Sequence, residues 1–244
     1  MNRANLDQSQ ITTASFFKLN SFANQWWAFK QMRLGLSALK EVNGLSFYKI
    51  FGSGAKQGFS VWPNFSTYVI LCVWESEKQA EEFFQKNAFL KEYRSRSKEG
   101  FTVYARSAES HGLWDGKKPF AQAEKSKTDQ AIMVLTRARI RTTKLLSFWS
   151  RVNQVSQSLK AYDGALLSIG VGEWPLIQQA TISIWSSQAE MLDYAYKNEK
   201  HQKVIQLTRK LNWYSEELFA RFIPYRFEGK WEGKAMESFL STSK

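Results

Sequence analysis

Apolar positions recur with two different periods along the chain, and these periods separate β-strands from helices. Runs with a period of two, or continuous short apolar runs, predict eight strands. These are Thr12–Leu19, Leu45–Phe51, Ser66–Trp74, Phe101–Ala105, Ala131–Arg137, Ala165–Val171, Gln179–Trp185 and Leu218–Phe222. Spacings of three and four predict helices over Asn24–Lys40, Glu77–Arg96 with a break near Asn87, Thr143–Leu159, Gln188–Tyr196 and Lys200–Leu211. The order βαββαβ therefore occurs twice.

The two halves of the chain repeat each other in sequence as well. Trp74 and Trp185 each close an apolar run and lie 111 residues apart. At that offset Ser76 coincides with Ser187, and each serine precedes a Gln or Glu by three residues, which is the capping-box pattern of a helix start. Upstream the offset is 120, so the first half holds nine extra residues, which we place within 54–65.

The repeat breaks at one of the two histidines. At the offset of 111, Leu90 of the first half coincides with His201 of the second. His201 shares a helix face with Val204 and Ile205, at spacings of three and four. A structural histidine that is half-buried and hydrogen-bonded, and a ligand of an iron cofactor, both fit this position.

This pattern predicts an α+β protein in which two ferredoxin-like βαββαβ modules are fused in one chain. The apolar sheet faces would pack against each other, as in a dimeric α+β barrel, and leave a pocket between sheet and helices. We expect a first module over 12–106, a linker over 107–130, a second module over 131–228 and a C-terminal tail over 229–244. Because the repeat satisfies its own pairing, both a monomer and a homodimer are compatible with it.

Composition limits the partners and the compartment. The net charge is +12 and the basic residues are dispersed without a nucleic-acid-binding motif, so we expect an anionic partner other than nucleic acid. The single Cys72 excludes an internal disulfide and favours a reducing compartment. The chain starts with polar residues and has no long apolar run. We therefore expect a cytoplasmic protein that is, at most, peripherally bound to the inner face of the cytoplasmic membrane. The 37 aromatic residues fit either a filled core or a lined cavity.

Two histidines and one cysteine exclude several kinds of metal site. A Cys/His zinc site and a histidine-rich di-iron site need more ligands than the chain has. A two-histidine iron site would need His111, in the predicted linker, beside His201. One imidazole is sufficient for the proximal ligand of haem iron, with Cys72 as the second choice.

Several segments resemble the spheroidene monooxygenase family of haem-dependent carotenoid oxygenases. In the second half they are RARIR from Arg137, LLSFW, LLSIGVGEWPLIQQATISIW, AYKNEKHQKVI around His201 and WYSEELFARF from Trp213. In the first half they are FGSG and FSVWPNFSTY. The resemblance is strong over 131–229 and weaker before it.

The resemblance implies a haem b (iron) monooxygenase that takes electrons from reduced ferredoxin. It would hydroxylate an acyclic or monocyclic carotenoid near an end group and, by a second oxidation, form a ketone. The resemblance makes His201 the axial ligand. Six other residues lie in the matching motifs and are candidates for contacts with the pocket or with the haem propionates; a salt-bridge network is the alternative role. They are Arg137, Arg139, Trp213, Tyr214, Glu217 and Arg221.

Other functions on the same scaffold remain open at this point. A non-catalytic carrier of haem or of a lipophilic molecule would use the same pocket. A cofactorless monooxygenase or an aldoxime dehydratase-like lyase would share the fold. Contact with the membrane is expected if the substrate is a carotenoid, since such a polyene is insoluble in water.

Overall fold

The computed structural model describes residues 9–54, 63–122, 125–152, 164–197 and 199–238, without the side chains of 63, 152, 199–201 and 203–205. The strands are β1 (Ile11–Leu19), β2 (Leu45–Gly54), β3 (Pro63–Trp74), β4 (Ser97–Gly112), β5 (Ile132–Ile140), β6 (Ala165–Trp174), β7 (Gln178–Trp185), β8 (Tyr214–Trp231) and β9 (Lys234–Ala235). The helices are α1 (Phe22–Lys40), α2 (Glu77–Lys86), α3 (Ala88–Arg96), α4 (Leu145–Val152), α5 (Gln188–Lys197) and α6 (Glu199–Leu211), and a 3₁₀ turn (Thr142–Lys144) precedes α4.

Polar side chains start and separate the helices as the sequence predicts. The Ser76 hydroxyl accepts a hydrogen bond from the backbone N–H of Gln79 and starts α2. Asn87 ends α2 in an extended conformation, and its side chain accepts from the backbone N–H of Leu90 to start α3. The helices of the second module follow at the offset of 111, because α2 and α5 begin at Glu77 and Gln188.

Each module is a four-stranded antiparallel sheet, and the two sheets form one closed barrel. The strand order is β4-β1-β3-β2 in the first module and β6-β7-β5-β8 in the second, which is the ferredoxin-like order. The sheets join through β2 and β6 at Gly52↔Gly172, and through β4 and β8 over a register from Gly100↔Lys230 to Gly112↔Leu218. The predicted α+β fold with two ferredoxin-like modules is confirmed.

The side chains form three apolar layers. The barrel interior holds one large cluster that draws on both sheets and includes Phe16, Val69, Leu135 and Ile182. A second cluster fills the space between the first sheet and its helices without interruption. Between the second sheet and its helices, the described residues form two separate clusters instead.

The last strand of each module is much longer than the sequence pattern predicts. The predictions Phe101–Ala105 and Leu218–Phe222 cover only the centres of β4 and β8. These strands pair with each other along their whole shared length, and this pairing recruits residues whose own pattern is irregular. β4 consequently runs six residues into the predicted linker, to Gly112, and Trp231 of the predicted tail packs in the barrel interior.

The boundaries of two predicted segments lie in less regular parts of the chain. The helix predicted from Thr143 begins as the 3₁₀ turn and continues as α4, while 153–163 and the predicted tail anchor Phe239 lie outside the described residues. The extra residues that we place within 54–65 fall largely on 55–62, which the structure does not describe. No helix in the described ranges is both long and apolar enough to cross a bilayer.

Candidate functional site on the second sheet

The middle of the first sheet is fully covered by its helices. Ile70, Ser15 and Thr102 are cross-strand neighbours on the face that points to the helices. All three are buried, with 2%, 2% and 6% of their surface exposed, and the hydroxyls of Ser15 and Thr102 lie 2.9 Å apart. The helix layer of this module leaves no space at its centre.

The equivalent three residues of the second sheet are less covered. Thr181, Thr136 and Phe219 pair across β7, β5 and β8 as Ile70, Ser15 and Thr102 do in the first module. Thr136 is exposed to solvent although it lies in the central strand, and Thr181 and Phe219 are half-buried. We call Thr181, Thr136 and Phe219 the open row.

Smaller side chains surround the open row than surround its counterpart. The strand registers make Ser168 equivalent to Tyr48, Gly170 to Ile50 and Ala138 to Phe17. The first-module side chains at these positions belong to or pack against the continuous cluster. In the second module the buried Ser168 hydroxyl has no hydrogen-bond partner among the described residues. At these positions the second sheet therefore presents smaller side chains to its helix side than the first sheet does.

Two apolar clusters border the open row along the strands. At one end Met191 and Tyr194 of α5 pack on the sheet beside Trp185. At the other end Leu207 of α6 packs against a cluster that includes Trp213. Helix α5 therefore packs on the first cluster and the C-terminal half of α6 on the second.

His201 is the third residue of α6, between these two clusters. Its counterpart Leu90 is the third residue of α3, is 1% exposed and packs in the helix-sheet cluster of the first module. The side chain of His201 lies outside the described part of the chain. Its position in the helix makes residue 201 the equivalent of a residue that packs onto the sheet in the first module.

Trp213 and Tyr214 form the border of the open row at the end of α6. The helix ends at Leu211, and Asn212 takes the left-handed conformation (φ 49°) that turns the chain into β8. Trp213 is fully buried and its Nε1–H donates to the Ser147 hydroxyl over 3.1 Å. Burial raises the pKa of Tyr214 to about 12, although a hydrogen bond with Thr208 works to lower it, so the phenol is protonated at neutral pH.

A charged group lies beside the open row on β8 and β4. Arg221 stands two residues after Phe219 on the same face and bonds Glu109 over 3.0 Å, while its buried Nε has no hydrogen-bond partner among the described residues. Glu109 also contacts the exposed His111, 2.8 Å from the Nε2 atom, and His111 pairs with Phe219 across the strands. Glu217 is exposed on the same face. Of the predicted residues, Glu217 and Arg221 are therefore brought to the open row.

Arg137 and Arg139 lie on the opposite face of the same sheet. The Arg137 side chain is fully buried at the end of the barrel interior, where it bonds Glu216 and lies 3.3 Å from Asp115 and 3.7 Å from Glu173. Arg139 contacts Asp115 over 2.6 Å. The structure therefore does not bring these two arginines together with Glu217 and Arg221.

The carboxylates around Arg137 form a network with a second cation. Lys49 of the first module lies 2.6 Å from both Asp115 and Glu173, so the network joins the two modules. Burial works to raise the pKa of Asp115, but hydrogen bonding and charge from Lys49 lower it below its ordinary value. The pKa of Glu216 is also lowered, because backbone N–H groups of the 115–116 turn and the Arg137 guanidinium outweigh its burial.

Two other features complete the inventory of possible ligand sites. A cavity of about 560 Å³ lies against the network and is lined by side chains that include Met32, Leu36 and Trp174. Cys72 is buried in the first helix-sheet layer, and burial raises the pKa of its thiol, which opposes a thiolate ligand. Within the described ranges, no group of three or more His, Cys, Asp or Glu side chains could hold a metal ion.

Sequence reasoning missed the open row and the contact of Arg221 with Glu109. The open row could have been found from the sequence. Aligning the two modules by the repeat shows small residues in the second module where the first has large ones. The contact of Arg221 with Glu109 depends on the long pairing of β4 with β8, and the irregular pattern of residues 107–112 did not indicate it.

No protein-family model matches the chain. It is similar to three proteins named spheroidene monooxygenase. The protein from Cereibacter sphaeroides is 34% identical over 92% of this chain and 70% of its own length. The protein from Rhodobacter capsulatus is 32% identical over 92% of this chain and 94% of its own length, and that from Rubrivivax gelatinosus is 32% identical over 87% and 81%.

Two solved structures of aldoxime dehydratase share the fold. Their TM-scores are 0.57 and 0.58 at 8% and 9% identity. They cover 89% and 97% of this chain and 82% and 86% of their own chains. At this level of identity the likeness concerns the fold alone.

Proposed function

Because the chain belongs to the spheroidene monooxygenase family, we propose that it is a haem-dependent carotenoid monooxygenase. It oxygenates an acyclic or monocyclic carotenoid near an end group, with O₂ and electrons from reduced ferredoxin. The product is an alcohol or, after a second oxidation, a ketone. The observation that carries the proposal is the open row, which lies between two apolar clusters on the helix side of the second sheet.

The residues around the open row fit a haem group. Haem is a flat, largely apolar macrocycle with two carboxylates, and it needs an apolar slot, one axial ligand and a cation near its rim. The less covered middle of the second sheet and its two bordering clusters supply the slot. Position 201 corresponds to Leu90, which packs onto the sheet of the first module, so His201 is the residue that can hold the iron.

Arg221 is the best cation for a haem carboxylate. Its guanidinium lies beside the open row, is 22% exposed, and keeps a buried Nε–H without a partner among the described residues. A charge-assisted hydrogen bond to a carboxylate would satisfy that group. Arg137 and Arg139 are assigned a structural role, since three carboxylates already surround them on the other face.

Bound haem would supply the iron at which O₂ is activated. The protein residues would hold the reacting end of the polyene and exclude water from it. The half-buried Phe219 provides apolar surface for this purpose. Tyr214 stays protonated at neutral pH and can donate a hydrogen bond at the edge of the site.

The net charge of +12 supports an acidic electron donor. Ferredoxin, which the family resemblance implies, is acidic and would be attracted to this surface. Salt should weaken that encounter, because exposed charges are screened.

A first experiment tests the cofactor. The purified protein, supplied with haemin, should show a Soret band, and His201→Ala should lose or shift that band. His111→Ala is the matched control, because His111 is the other histidine and is exposed at the edge of the same face. Protein that is colourless as purified and takes up no added haemin would contradict the proposal.

A second experiment tests the reaction. The chain is expressed in a host that makes lycopene or γ-carotene, and the extracted pigments are analysed by mass spectrometry. We expect carotenoids that have gained oxygen, and none with His201→Ala. A wild-type protein that binds haem or pigment without forming such products would be a carrier instead.

A further inference from the structure

Helix α1 carries an exposed aromatic surface that the proposed oxygenation does not use. Phe22, Trp26 and Phe29 are 82%, 54% and 40% exposed. The rings of Trp26 and Phe29 stack with centroids 5.5 Å apart, and Phe29 meets the 46% exposed Phe65 of β3 at 5.8 Å. Single exposed rings are common, but four neighbouring ones indicate an interaction site. We call Phe22, Trp26, Phe29 and Phe65 the aromatic face.

The helical period explains why these rings point away from the protein. Residues spaced four, seven and eleven positions after Phe22 share its side of the helix, and they are Trp26, Phe29 and Arg33. The buried residues Ala28, Gly35 and Leu39 lie on the opposite side and are the ones that contact the first sheet. Small residues dominate that contact, so most of the large apolar side chains of α1 are left outside the core.

The charges next to the aromatic face have one sign. Lys30, Arg33 and Lys40 are exposed on α1, and the helix contains no acidic residue. Lys30 and Arg33 lie beside Trp26 and Phe29 on the outward side of the helix. Exposed aromatic rings suit the headgroup level of a bilayer, and basic residues beside them are attracted to anionic lipids.

We propose that the aromatic face docks the protein on the surface of a bilayer that contains anionic lipids. The rings insert at the level of the headgroups, and Lys30 and Arg33 bind headgroup phosphates. This docking does not depend on haem or on oxygenation. A lipid surface explains the face better than a second copy of the chain, because a two-fold contact through α1 would bring Lys30 and Arg33 against their own copies without an acidic partner on the helix.

Vesicle flotation with the purified protein tests the proposal. The protein should float with vesicles of phosphatidylcholine and phosphatidylglycerol, and much less with phosphatidylcholine alone. Trp26→Ser and Phe29→Ser should each lower the partition coefficient by about tenfold, from the apolar surface lost. Lys30→Gln and Arg33→Gln should each lower it by about fivefold, and only on the anionic vesicles.

Matched controls are available elsewhere on the surface. Leu146→Ser removes a 90% exposed apolar side chain from α4, and Lys86→Gln removes an exposed charge from α2. Both should bind vesicles as the wild type does, and circular dichroism checks that every variant is folded. Equal binding by the Trp26→Ser variant and the Leu146→Ser control would overturn the proposal.

Two further outcomes are also decisive. If the wild type does not float with anionic vesicles, the face is not a lipid-docking surface. If sedimentation shows a dimer that Trp26→Ser dissociates, the face is an interface between copies. A colourless but vesicle-binding protein would contradict the proposed function and leave the docking proposal standing.

Discussion

The open row predicts that one substitution has opposite effects at equivalent positions of the two modules. We compare Thr136→Phe with Ser15→Phe. Thr136 is exposed, and phenylalanine suits a strand, so the free energy of unfolding of the haem-free protein should change by no more than about 0.5 kcal/mol. Ser15 is 2% exposed and its hydroxyl lies 2.9 Å from that of Thr102.

The expected cost at Ser15 has two parts. Forcing a large ring into a filled layer costs about 1–3 kcal/mol. Leaving the buried Thr102 hydroxyl unpaired costs about 1–3 kcal/mol more. The total of about 2–6 kcal/mol should lower the Tm by at least roughly 4 °C for a chain of this length.

Haem binding should follow the reverse order. The ring introduced by Thr136→Phe would occupy the proposed slot, and a steric conflict of about 1–3 kcal/mol weakens haem binding by about 5- to 150-fold. The assay is thermal unfolding of haem-free protein followed by a Soret titration with haemin. Ser15→Phe, at a temperature where it is folded, should titrate as the wild type does. Equal destabilisation by both variants would mean that the open row is packed, and wild-type titration by Thr136→Phe would mean that haem binds elsewhere.

Three further outcomes follow from the network and from β4. Arg137→Ala should destabilise the protein by about 3–5 kcal/mol in urea unfolding, because it removes a fully buried guanidinium and leaves the largely buried Glu216 without its side-chain cation. Its remaining folded fraction should keep the wild-type Soret maximum, and a shifted maximum would instead make Arg137 a haem contact. The pKa values of Asp115 and Glu216 are lowered in the folded protein, so both carboxylates stabilise it at a pH above their ordinary pKa values of 3.8 and 4.5. The Tm should therefore fall as the pH drops below about 4.5, and a Tm that stays constant there would refute this. Gly112→Ala should destabilise β4, since φ is +88° and a Cβ would lie 2.1 Å from the Glu217 carbonyl oxygen; a wild-type Tm would contradict the strain argument.

Much of the fold could be predicted because local signals and the repeat agree. Ser76 and Asn87 start helices where the pattern places them, and the offset of 111 carries the bounds of α2 onto α5. The lengths of β4 and β8 could not be predicted, because they are set by pairing between segments that are more than a hundred residues apart. A residue such as Trp231 enters the core through that pairing and not through its own pattern.

The candidate site could be predicted only in part, and the reason is the two-sided nature of a sheet. Arg137 and Glu217 both lie in motifs that resemble the family, but side chains on one strand alternate between faces. One face of the second sheet lines the barrel interior and the other meets the helices, so the motif places the two residues in different environments. The sequence pattern shows that side chains alternate between the two faces. It does not show which face stays open, because that depends on how the helices and the first sheet cover the second sheet.

The differences between the modules follow from the closed barrel. The shared interior draws on both sheets, so the stability of the barrel does not require both helix layers to be filled. The first layer is continuous and holds Tyr48, Ile50 and Phe17. The second has small residues at these positions, at a local cost in buried apolar surface, and leaves the open row less covered. Under the proposed function, a haem ligand at the position of Leu90 needs that space, so the histidine and the small residues are expected in the same module.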